Sequence, residues 1–72
     1  MNYTLYFGTR KLIATVEILR TYSGFVATFT NNLTGVAIEK HYKTERACKA
    51  AKTRYFNTMH NVYFQRYENG AI

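Results

Sequence analysis

Cys48 is the one thiol of this chain, and His41 and His60 are its two imidazoles. A thiol and an imidazole brought together make a nucleophile and its base. Glu17, Glu39, Glu45 and Glu68 are the four carboxylates. None is spaced with another as paired acid–base work requires, and neither histidine has the companion ligands that zinc would need. Helical spacing places Cys48 with alanines on an apolar arc, where a thiol behaves as a small hydrophobe. Gly8, Gly24, Gly35 and Gly70 stand singly at turns, and none builds a glycine-rich loop ahead of a helix that would cradle a phosphate. The chain therefore reads as non-enzymatic, with no metal site and no cofactor.

The remaining chemistry is cationic. Ten Lys and Arg against four Glu leave a net charge of +6, and residues 37–72 carry seven of the cations. That balance suits a polyanion or an acidic protein surface as partner, although it also keeps a small protein soluble. The densest set is Lys43, Arg46, Lys49, Lys52 and Arg54. At about 100° per residue, Arg46, Lys49 and Lys52 share an arc opposite Ala47, Cys48, Ala50, Ala51, Tyr55 and Met59. Phosphates could lie against that stripe. A merely solvated face is the competing reading, because Lys and Arg are strong helix formers. Seven Tyr and five Phe are more aromatics than one small core encloses, so some tyrosines should face solvent. They either line the rim of a sheet or join a binding face, and Tyr63, Arg66 and Tyr67 complete the candidate contact set.

These side chains need a frame. Tyr3–Phe7 alternates as a strand, and Gly8-Thr9 suits a two-residue type II′ turn. From Lys11 to Arg20 a period of two puts Leu12, Ala14, Val16 and Ile18 on one face and Ile13, Thr15, Glu17 and Leu19 on the other. Thr21–Gly24 turns, and Phe25, Ala27 and Phe29 alternate with Val26, Thr28 and Thr30. Asn31–Gly35 turns again, and Val36–Tyr42 returns as a fourth strand. Thr44 can cap a helix reaching about Asn57, with Glu45 in its first turn. Asn61–Tyr67 alternates once more and predicts a fifth strand. The expected architecture is α+β, in the order ββββαβ: an antiparallel sheet of about five strands with one helix packed on one face.

Seventy-two residues hold one core, so residues 1–72 read as a single small basic domain. A lone cysteine excludes an internal disulfide, and no run approaches the roughly 20 apolar residues of a membrane span. The N-terminus lacks the pattern of a signal peptide. A cytoplasmic, reducing setting is expected.

The stretch from Gly24 through Thr34-Gly35 to Lys43-Thr44-Glu45-Arg46-Ala47-Cys48-Lys49-Ala50-Ala51 resembles two DNA-binding families. These are the plant ethylene-response-factor domain and the arm-binding domain of tyrosine integrases, in which a sheet face reads bases. Here the outward positions, Ile13, Thr15, Glu17, Leu19, Val26, Thr28, Thr30, Ala37, Glu39 and His41, carry no Lys or Arg, and suit protein contact better. In size and organisation the chain also resembles small phage anti-CRISPR proteins. That resemblance implies an inhibitory binding protein that occludes a host defence ribonucleoprotein and blocks nucleic-acid access, as a monomer or homodimer in the host cytoplasm. The alternative is a DNA- or RNA-binding module of little sequence specificity, using the basic helix face.

Overall fold

Four alternating segments form four strands, β1 (Asn2–Phe7), β2 (Lys11–Thr21), β3 (Gly24–Asn31) and β4 (Ala37–Tyr42), followed by one helix, α1 (Glu45–Glu68). The computed structural model describes residues 1–8 and 11–68, with side chains described through residue 65. The strands pair antiparallel in chain order, which leaves β1 and β4 as edges. The fold is α+β, with the helix laid across one face of a four-stranded sheet.

The two later turns follow from local chemistry. Thr21 pairs with Gly24 across Tyr22-Ser23. Gly24 has a φ of 148°, and a Cβ there would stand 2.4 Å from the Tyr42 carbonyl oxygen. Only glycine lets the end of β4 come so near. Between β3 and β4, the Asn31 Oδ1 accepts the N–H groups of Leu33 at 2.9 Å and Thr34 at 3.3 Å, folding the chain on a side-chain turn. That turn sends Leu33 back onto the core. Thr9 lies outside the described residues, and with it the turn expected at Gly8-Thr9; Gly8 itself has a positive φ of 70°.

One residue in β2 departs from the simple alternation. Leu5 faces Ala14 across the ladder whereas Tyr6 faces Leu12, so Ile13 is an extra residue in a bulge. The bulge resets the period, which puts Ile13 and Ala14 on the same side of the sheet, both fully buried. Ile13 was expected to face outward with Thr15 and Glu17. It is instead a core residue, and its neighbour Leu12 pairs with the exposed Tyr6.

The helix begins as expected and ends late. Thr44 Oγ1 accepts the Ala47 N–H at 3.1 Å, a side-chain cap on a helix whose first turn carries Glu45. The helix then runs 24 residues, about 36 Å, through the segment Asn61–Tyr67 that was read as a fifth strand. Cys48, Ala51, Tyr55, Met59 and Tyr63 form one inward row at helical spacing. Tyr63 supplies the physical reason for the correction. Turned inward by the helix, it is buried with its ring 4.6 Å from that of Phe7, and it packs with Ile13 and Met59. The alternating apolar residues of a strand there, Val62 and Phe64, are the ones left exposed.

The core has two joined halves. Cys48 and Ala51 settle on Val16, Ile18, Ala27 and Phe29, and Met59 and Tyr63 settle on Ile13 and Ala14 with Leu5 and Phe7 beside them. The small side chains of Cys48 and Ala51 are the helix's contribution to the first half. Ala47 and Ala50, expected on the same arc, are exposed. Each large aliphatic side chain buried here contributes about 1.5–3 kcal/mol.

Candidate functional site

Strand alternation sorts charge between the two sides of the sheet. Cross-strand partners share a face. Val16, Ile18, Ala27 and Phe29 define the face under the helix, so the same pairings place Lys11, Arg20 and Lys40 on the helix side with Phe7, Phe25 and Ala27. The other side carries Thr4, Thr15, Glu17, Leu19, Val26, Thr28, Thr30, Ala37, Glu39 and His41. Among the described residues this outer face holds no Lys or Arg. It does hold Glu17 and Glu39, the latter 3.4 Å from His41 with both side chains exposed. Among the described residues no other element covers it.

The expected helix stripe is divided by the packing. Lys43, Arg46 and Lys49 are exposed, and Lys49 Nζ pairs with Glu45 at 3.2 Å. That carboxylate holds the Lys49 ammonium above its usual pKa range. Lys52 does not stand with them in open solvent. It is half-buried toward β1, with its ammonium 4.6 Å from the centre of the Tyr3 ring and 5.9 Å from that of Phe56. Arg54 lies on the opposite flank, toward β4. Tyr63 is buried and offers little surface to a partner. The side chains of Arg66 and Tyr67 lie outside the described residues.

Arg54 shares a cleft with a cation that was not in the expected set. A cleft of about 190 Å³ between β4 and the helix is lined by Phe29, Ile38, Lys40, Tyr42, Ala51, Arg54 and Tyr55. At its base the Phe29 and Tyr55 rings meet nearly edge to face, with centroids 5.1 Å apart. Lys40 and Arg54 have no ion-pair partner among the described residues. The signal for Lys40 was present in the alternation Ile38-Lys40-Tyr42, which assigns all three to the side opposite Glu39 and His41. What the spacing lacked was the distance to Arg54 on another element.

The groups suited to nucleophilic or metal-binding chemistry are apart or buried. Cys48 is fully buried under the first half of the helix, and burial pushes its thiol pKa up, with the nearby Glu45 adding to the effect. A raised pKa holds the thiol protonated, the opposite of what a nucleophile needs. His60 packs in the exposed aromatic group at the far end of the helix, its ring stacked on Phe64 at 6.4 Å. Among the described residues no three His, Cys, Asp or Glu side chains gather as metal ligands, and no helix is long and apolar enough to cross a membrane. Comparison with known proteins finds no matching family, no matching curated protein and no matching solved structure.

Proposed function

We propose that this chain is a non-enzymatic binding protein that docks on a nucleoprotein complex and bars nucleic acid from it, an inhibitor of the anti-CRISPR kind. The observation that carries the reading is the segregation of charge across the sheet. One side presents threonines, isolated apolar residues and two glutamates, a composition that suits contact with protein and repels phosphate. The other side, with the helix, gathers Lys40, Lys43, Arg46, Lys49 and Arg54, which attract phosphate. A nucleoprotein offers both kinds of surface at once, and a body about 19 Å thick can touch both together.

A second reading, a small DNA- or RNA-binding module, is favoured by Lys40 and Arg54, which share the β4 cleft. The two separate in one experiment. The tagged chain is incubated with extract of CRISPR-bearing bacteria and the bound material is analysed for protein and nucleic acid. The inhibitor reading expects effector subunits among the captured proteins, retained in moderate salt. Nucleic acid recovered without any effector subunit, and lost steeply as salt rises, would replace it with the second reading.

A further inference from the structure

Two clefts adjoin at Tyr42. The first is the β4–helix cleft, with Lys40 and Arg54 beside Tyr42, Phe29 and Tyr55. The second, of about 200 Å³, is lined by Thr21, Ser23, Phe25, His41, Tyr42 and Lys43. Each combines aromatic rings with at least one cation, and Tyr42 is common to both. We infer that the pair is a binding site for single-stranded nucleic acid, with one nucleotide seated on each side of Tyr42.

Three features select this ligand. Each cleft falls below the roughly 300 Å³ at which pockets for drug-sized ligands begin, so each takes a single flat ring and its attached group. Aromatic rings with adjacent cations are what a base and its phosphate require, since bases of any sequence stack on aromatic side chains while Lys and Arg neutralise the backbone. The arrangement also occurs twice in succession. A repeated aromatic-and-cation unit matches a polymer of repeating base and phosphate better than it matches one small molecule or one peptide terminus. The hydroxyls of Thr21 and Ser23 add donors suited to phosphate oxygens in the second cleft. A duplex keeps its bases stacked inside and would gain only from the cations.

The inference rests on the reading that part of the target is nucleic acid, and its test separates the two. A fluorescein-labelled oligothymidylate of about 12 nucleotides, within the range that one small binding fold covers, is titrated by anisotropy alongside a duplex of equal length. The Lys40→Ala/Arg54→Ala chain is expected to bind the single strand at least about tenfold more weakly, with a slope of log K against log salt smaller by about 1.4. Tyr42→Leu keeps an apolar side chain against the helix. It is expected to weaken single-strand binding about tenfold while changing duplex binding little. Lys11→Ala/Arg20→Ala removes the same number of exposed cations outside the clefts and is expected to cost only about two- to threefold.

Equal losses from the two double variants would overturn the site and leave the general binding reading standing. So would a Tyr42→Leu chain that loses duplex and single-strand binding alike. Absence of any oligonucleotide binding by the unaltered chain at low salt would overturn the site, while effector capture from extract would still support the inhibitor. Circular dichroism of each variant guards against loss of fold. Lys40→Gln/Arg54→Gln replaces the alanine pair if it unfolds, with the same expected losses.

Discussion

The two faces of the sheet are built from the same strands, residue by residue in alternation, yet they meet different fates. Ile18 is buried under Cys48 and Ala51, whereas Leu19, one residue on, is half exposed on the outer face. Val16 is covered and Glu17 is free in solvent. The helix makes this difference, because it covers one face and, among the described residues, has no counterpart on the other. Covering also arranges the charge. Cations on the helix side are held near aromatic rings at the margins of the helix, Lys52 over Tyr3 and Arg54 beside Tyr55, whereas the outer face keeps its glutamates in open water. A cation beside an aromatic ring in a cleft can grip a flat anionic group. An exposed carboxylate on a threonine-rich face cannot.

The sharpest way to break this contrast is to truncate neighbours. Ile18→Ala should cost about 2–5 kcal/mol of stability, because the cavity lies where the helix meets the sheet. Leu19→Ala should cost less than about 1 kcal/mol. Urea denaturation of both variants measures the gap, and equal costs would mean that the outer face is also covered, most simply by a second copy of the chain.

A smaller effect tests whether placement or net charge governs binding. Thr4→Lys/Thr30→Lys adds two cations to the outer face. Its affinity for the labelled single strand should rise by no more than about threefold, since charges away from the contact act only through the screened field. A rise matching the loss from Lys40→Ala/Arg54→Ala would show that any surface serves.

The smallest expected effect concerns pH. Burial raises the pKa of the Cys48 thiol and of the Tyr55 hydroxyl. A folded pKa above the unfolded one means that the native chain holds its proton more tightly. The associated stability is therefore complete below about pH 8.5, the ordinary thiol value, and is lost as pH rises through the folded pKa. The urea midpoint should fall as pH rises above about 8.5. Cys48→Ala should flatten that fall, and an unchanged slope would mean that the thiol is reached by water in the native chain.

The four strands, the two turns that link β2 to β3 and β3 to β4, the capped start of the helix and the burial of Cys48 could all be read from the sequence. Each depends on neighbours along the chain: alternation in Phe25–Thr30, turn residues at Asn31–Gly35, the Thr44 hydroxyl within reach of the Ala47 N–H. The absence of cations from the outer face was legible too, because alternation alone assigns sides. What failed were the places where a distant contact overrides a local period. Ile13 faces inward because an extra residue enters β2 opposite β1, and pairing register is a property of two strands. Asn61–Tyr67 alternates weakly enough to suit a strand or a helix, and the balance falls to the helix because Tyr63 then reaches Phe7, more than fifty residues earlier.

The candidate site divides along the same line. Composition determined that this protein is cationic and rich in aromatics, and the helical period determined that Arg46 and Lys49 are exposed. Only the tertiary structure brought Lys40 of an edge strand and Arg54 of the helix to one cleft around Tyr42. Spacing along a chain orders residues on a single element, whereas a cleft is made by the angle and distance at which two elements pack. Here the small side chains of Cys48 and Ala51 set that approach against β3.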